Sequence, residues 1–207
     1  MTSRRSATKG SRKRKPLALR TLYYLFLIGG ILGLTYGGYV VAETHIYQLS
    51  EELKLTNVTH SEEPHVVLEG DTIGEMRIPR LGLKVIFVQG DSSKILQHAV
   101  GHLPETALPG EWGNVVLAGH RDSFFRPLRN IQTGDAITLR TPGGDFQYEV
   151  ESTAVVPPSD IQVLEPSSER TLTLITCFPF YYVGPAPNRF IVRARQVGPL
   201  LGRLRQR

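Results

Sequence analysis
From Ile73 onward the chain breaks into seven short apolar runs divided by Gly, Pro and Asp: IGEMRIP, LKVIFVQG, NVVLAGH, DAITLRTP, FQYEVESTAVV, TLTLITC and RFIVRARQV. Runs in which apolar and polar residues alternate turn one face to a core and the other to water, the two-residue period of a strand. Seven of them within about 125 residues predict a β-barrel or a β-sandwich. Gly143 and Gly144, between DAITLRTP and FQYEV, mark a hairpin turn. The alternation lapses around Ser92 to His98 and Ser123 to Arg129, where short helices are expected.

The segment ahead of these runs has a different character. Leu22 to Ala42 (LYYLFLIGGILGLTYGGYVVA) is 21 residues without a charge, about 32 Å long as a helix and enough to cross a bilayer's hydrocarbon core. Arg4, Arg5, Lys9, Arg12, Lys13, Arg14, Lys15 and Arg20 precede it and Glu43 follows it. The positive-inside rule therefore puts the N-terminus in the cytoplasm and everything after Glu43 outside the plasma membrane, on a single-pass anchor. Val40, Val41 and Ala42 resemble a signal-peptide cleavage site, yet the apolar run exceeds the usual 7–15 residues of a cleaved signal, so an uncleaved anchor is expected. Gly29, Gly33 and Gly37 recur every four residues, a spacing that glycine-rich spans also reach without any helix partner.

The formal charge of +5 invites a nucleic-acid reading until it is mapped. Removing the eight basic residues before Thr21 from the total of 24 leaves 16 against 19 acidic residues, a mildly acidic remainder. No basic and aromatic face remains, so no nucleic-acid partner is expected. The organisation is then a basic cytoplasmic tail (1–21), a transmembrane helix (22–42), a polar extracytoplasmic stalk with a short helical pattern at Ile46, Leu49 and Leu53 (43–71), one compact domain (72–197) and a basic C-terminal tail (198–207).

Cys177 is the only cysteine, so the chain cannot form an internal disulfide. It ends the run Thr171 to Thr176, and Phe178 and Pro179 stop the strand just beyond it, where a sheet can hold a side chain toward a cleft. From spacing alone it is either a nucleophile or a small buried hydrophobe, as most free cysteines are. A nucleophilic thiol needs a base or cation beside it. Of six histidines, His45, His60 and His65 fall in the stalk, His98 in a short helix, and His102 opens the turn-rich GHLPETALPGEWG. His120 closes the apolar run from Asn114 to Gly119 and so lies, like Cys177, at a strand end. Arg189, 12 residues after Cys177 at the start of RFIVRA, is either a surface arginine or a fork of donors for a substrate carbonyl and its oxyanion.

At these residues the chain resembles the sortase family. Leu174, Ile175, Thr176 and Cys177 are similar to its TLxTC signature, Leu117, Ala118, Gly119 and His120 to its histidine segment, and Asn188 to Val192 to its arginine strand, all in the family's order. The short stretch from Phe178 to Pro187 looks most like class D. The resemblance implies a mainly β fold, an eight-stranded sortase-type barrel with short helices and the site at one edge. It also implies roles: Cys177 as nucleophile, His120 as acid and base, Arg189 as peptide and oxyanion holder, and Thr176 in substrate binding. The implied reaction cleaves an LPxTG-like or LPxTA-like sorting signal of a secreted surface protein after Thr and passes the acyl group to an amine, on a peptidoglycan precursor or a pilin lysine. No cofactor and no metal are expected, since the carboxylates do not cluster in sequence.

Two other readings are an L,D-transpeptidase-like cysteine acyl transferase and an inert binding module on the same fold. The first calls for serine and glycine before the cysteine, where this chain has Ile175 and Thr176; the second sits poorly with all three catalytic positions filled. Leu103 to Ala107 spell LPETA, itself a sortase-type pentapeptide, but they lead into Pro109, Gly110 and a core strand. A structural turn is expected there.

Overall fold
The computed structural model describes residues 17–57, 67–181 and 184–197. The chain divides into two compact units, Met1–Glu43 and Thr44–Arg207. Helix α1 (Leu17–Asn57) contains the apolar window Leu22–Tyr39, with a mean hydropathy of 1.3 and no part of it buried. At 1.5 Å per residue those 18 residues extend about 27 Å, long and apolar enough to cross a membrane. The helix runs through Glu43 without a break, so the helical part of the expected stalk is longer than Ile46, Leu49 and Leu53 alone suggest. His60 and His65 lie outside the described residues, as does the C-terminal tail 198–207.

Eight strands close a barrel: β1 (Thr72–Ile78), β2 (Leu83–Gln89), β3 (Val100–His102), β4 (Gly113–Ala118), β5 (Ala136–Thr141), β6 (Gly144–Val156), β7 (Arg170–Phe178) and β8 (Asn188–Gln196). Their order around the barrel is β1-β2-β3-β4-β7-β8-β6-β5, and β1 pairs with β5 to leave no free edge. Seven strands fall on the seven apolar runs. The eighth, β3, has three residues and overlaps the start of the turn-rich segment GHLPETALPGEWG, so its strand character comes from pairing with β2 and β4. Helix α2 (Ser93–His98) occupies the first expected helical segment. In the second, the helix is a 3-10 turn, Arg126–Asn130, with Pro127 near its start, beginning three residues later than the expected Ser123. The β5–β6 hairpin pairs Thr141 with Gly144, and Gly143 N–H donates to the Thr141 hydroxyl.

Alternate residues along each strand fill the interior. Val115 and Leu117 of β4, Leu172 and Leu174 of β7, and Val192 and Ala194 of β8 are buried in one cluster with Met76, Phe87 and Leu139. Their odd or even neighbours therefore face outward, placing Asn114, Ala118, Thr173, Ile175, Cys177, Arg189 and Arg193 on one outer surface of β4, β7 and β8. Asn114 is buried there and joins that surface to the long β6–β7 connection. Its Nδ2 donates to Val163 O (3.1 Å) and Glu165 O (3.4 Å), while its Oδ1 accepts from Thr173 Oγ1 (2.7 Å) and Thr171 Oγ1 (3.3 Å). An open groove beside this connection is lined by Asp160, Gln162, Val163, Glu165, Pro166 and Arg193.

Candidate active site
Strand order brings the chain segments that carry the three chemically interesting residues side by side. β7 lies between β4 and β8, parallel to the first and antiparallel to the second. The parallel register pairs Ala118 with Ile175, and Gly119 N–H continues it by donating to Ile175 O at 3.1 Å. Two residues further along come His120, just past the end of β4, and Cys177, one residue before the end of β7, at the same end of the barrel. The antiparallel register pairs Cys177 directly with Arg189; cross-strand partners share a face with Cβ atoms about 5 Å apart.

Each residue is held differently. Cys177 is half-buried and free, on the outer face and outside the core cluster. His120 is exposed, and its carbonyl accepts from Phe125 N–H at 3.0 Å and Ser123 N–H at 3.4 Å. Phe125 is fully buried and anchors that turn in the core. A Cβ on Gly119 would meet the Phe125 ring at 3.0 Å, so a side chain before His120 would require that buried ring to shift by a few tenths of an ångström. Arg189 is half-buried, and its Nη1 donates to Asn188 O (3.1 Å) and Ala186 O (3.4 Å), turning the guanidinium toward the start of β8. Thr176 alternates to the other face of β7, is buried, and its hydroxyl donates to Gly119 O at 2.7 Å.

A neighbour of this group has no counterpart in the sequence reading. Arg121 is only 6% exposed, and its Nη1 and Nη2 donate to Pro179 O (2.9 Å) and Gly184 O (3.1 Å) in the β7–β8 connection. An arginine directly after a strand-terminal histidine is the one sequence signal that marks it. Phe178, Phe180 and Phe190 pack edge-on and stacked beside that connection, with ring centroids 5.2–6.3 Å apart.

The other described histidine rings lie elsewhere. His98 ends α2 and is half-buried. His102 ends β3 and is buried, with Nδ1 at 2.9 Å from Gln89 Oε1 and Nε2 at 2.9 Å from Ala107 O. Burial pushes its imidazole below the ordinary histidine value. The LPETA segment is a turn: Thr106 N–H and Oγ1 both donate to Leu103 O (3.1 and 2.7 Å), and Ala107 N–H donates to Asn114 O at 3.1 Å. Among the described residues no three His, Cys, Asp or Glu side chains gather as a metal-binding group.

With this geometry, comparison with known proteins is informative. A family model described as the sortase domain matches residues 76–197. Sortase D of Bacillus subtilis (strain 168) is 36% identical over 129 residues, 62% of this chain and 65% of that protein. Sortase A of Listeria monocytogenes serovar 1/2a is 26% identical over 109 residues, 51% of this chain and 49% of that protein. The chain thus spans less than two thirds of either relative's length. Among solved structures, the sortase D5 transpeptidase of Clostridium perfringens superposes with a TM-score of 0.65 at 31% identity, covering 74% of this chain and 98% of that one. Sortase C of Clostridium perfringens SM101 superposes with a TM-score of 0.58 at 28% identity, covering 78% and 91%.

Proposed function
The chain belongs to the sortase family and is most similar to class D, and from that premise we propose that it is a cysteine transpeptidase acting on peptide sorting signals outside the cytoplasm. One observation supports the reading: Cys177 is paired across the ladder with Arg189, and His120 follows the end of the neighbouring strand β4, two residues beyond the Ala118–Ile175 pair.

The chemistry follows from what each group can do. Sγ of Cys177, as thiolate, attacks the carbonyl carbon of the signal's threonine, and the negative charge moves to the carbonyl oxygen. Arg189, always charged and a multiple donor, holds the peptide and stabilises that oxyanion. His120, as imidazolium, protonates the departing amine as the C–N bond breaks, leaving a thioester on Cys177. An incoming amine then attacks the thioester, His120 takes its proton, and the thiolate leaves. Thr176 was expected in substrate binding; its side chain is buried and committed to Gly119 O, which favours a role in holding the segment before His120.

The substrate is an LPxTG-like or LPxTA-like peptide of a secreted surface protein, and the acceptor an amine of the cell envelope, on a peptidoglycan precursor or a pilin lysine. The apolar helix supports a single-pass membrane anchor. The eight basic residues ahead of it support a cytoplasmic N-terminus, with the barrel on the outer side. The test is product analysis: full-length protein in detergent, incubated with LPxTG and LPxTA peptides and a set of amines, is expected to release the fragment after Thr and to form the amide product. Intact peptides under all pairings would overturn the reading.

A further inference from the structure
His120 stands between two ties, and those ties grip the chain on either side of Cys177. On the preceding side, Gly119 O accepts from the hydroxyl of Thr176, the residue before Cys177. On the following side, Arg121 donates to Pro179 O, two residues after Cys177, and to Gly184 O, five residues before Arg189. The first tie joins strand ends that are already in register. The second joins two connections that no ladder bonds hold, the turn carrying His120 and the β7–β8 connection running from Cys177 to Arg189.

We propose that Arg121 is a positioning residue for the transpeptidation: its guanidinium fork fixes the β7–β8 connection against the His120 turn, so that imidazole, thiol and the Arg189 guanidinium keep one spacing through both half-reactions. The inference rests on the proposed function of this site. A guanidinium at 6% exposure is costly unless its donors are used. Here Nη1 and Nη2 go to two backbone carbonyls, charge-assisted bonds stronger than neutral ones, while its Nε lies 3.5 Å from the mostly exposed Asp122 carboxylate. A planar fork can bond two carbonyls on separate parts of a connection at once; an ammonium on a flexible stem holds them less rigidly. A contact from Arg129 to the Tyr181 ring, 5.5 Å from its centroid, joins the same two connections further out.

The test uses full-length Arg121→Gln and Arg121→Lys in detergent, with the acylation rate of Cys177 by a sorting-signal peptide, the KM for that peptide, and the alkylation rate of Cys177 by iodoacetamide. A clamp on the reacting groups acts on the chemical step. The rate at saturating peptide is therefore expected to fall at least tenfold in Arg121→Gln and at least threefold in Arg121→Lys, with KM and iodoacetamide rates within twofold of the parent and near-UV circular dichroism unchanged. Smaller losses in whichever variant folds, losses that only follow the folded fraction, or failure of both variants to fold would overturn the proposal, the last two by making Arg121 merely structural. A parent protein that forms no acyl-enzyme would instead sink the proposed function, so the two failures are told apart by the unmutated chain.

Discussion
Cys177 and Arg189 face each other across the antiparallel β7–β8 ladder, one residue from the end of one strand and one from the start of the other. A rigid ladder therefore sets the backbone distance between Cys177 and Arg189, while the 11 residues of chain between them form the end of β7, the adjoining connection and the start of β8. In the proposed mechanism Arg189 acts only after Cys177 has attacked. Arg189→Ala is expected to lower the peptide acylation rate by about 100- to 1000-fold, about 3–4 kcal/mol of transition-state stabilisation as for an oxyanion donor. The thiol's reaction with a small alkylating agent should stay close to the parent's. Stopped-flow acylation beside alkylation kinetics checks this, and a variant with near-normal acylation would remove the role.

Thr176 divides a hydroxyl effect from a methyl effect. Thr176→Val keeps the volume but leaves Gly119 O without its 2.7 Å partner, an expected cost of about 1–3 kcal/mol in urea unfolding. Thr176→Ser retains the bond and should lie near the parent. Equal stability of the Val and Ser variants would show that the bond to Gly119 does not matter.

Asn114 holds the β6–β7 connection to the outer face that carries Cys177. Asn114→Ala leaves two carbonyls and the Thr173 hydroxyl short of a partner, while Thr171 keeps Gly113 O at 3.4 Å, with an expected loss of about 1–3 kcal/mol. Because that connection lines the groove with Arg193, the KM for peptide should rise severalfold while the alkylation rate of Cys177 stays unchanged. An unaltered KM would separate the connection from peptide binding.

His102 predicts how stability responds to acid. Its folded-state pKa lies below the ordinary 6.5 because it is buried, so between the two values the unfolded chain binds the proton more readily than the folded one. The contribution is present above about pH 6.5 and is lost as the pH falls through the lowered folded value, at no more than about 1.4 kcal/mol per pH unit. Urea midpoints at pH 5 and 7.5 should differ in that direction, and His102→Gln should shrink the difference. An unchanged difference would assign it to other groups.

The LPETA turn should resist the protein's own active site. The hydroxyl of Thr106, the N–H of Ala107 and the carbonyl of Ala107 are all bonded within the barrel, so the Thr106–Ala107 peptide cannot extend into a groove without breaking them. Intact mass after overnight incubation is the expected result, and a break after Thr106 would contradict it.

Short apolar runs divided by Gly, Pro and Asp made β1, β2 and β4 to β8 legible; β5 and the first half of β6 alternate, whereas β1, β2, β4 and β7 bury consecutive residues on both faces. The pattern was silent on β3, whose three residues are too few to show a period and whose His102 enters the core only through its bonds to Gln89 and Ala107. Barrel closure and the parallel pairing of β4 with β7 depend on contacts between distant segments, which the residue pattern narrows to barrel or sandwich and the family resemblance alone points to. The strand-end positions of His120 and Cys177 were legible from the apolar runs they close, whereas Arg189, by pattern a surface arginine as readily as a donor, was singled out by the family resemblance. Arg121 and Asn114 were not legible, since their partners are backbone carbonyls 58 and 63, and 49 and 51, residues away. A carbonyl leaves no mark in the sequence.

The central claim, that thiol, imidazole and guanidinium work together at one barrel rim, is tested most directly by acid-quenched mass spectrometry of the full-length protein mixed with a sorting-signal peptide. The account predicts a mass increase equal to the acyl fragment ending in Thr, mapped to Cys177, discharged by an added amine and absent from both Cys177→Ala and His120→Ala. An adduct formed as fast without His120, or none on Cys177 while the peptide is still cut, would contradict it.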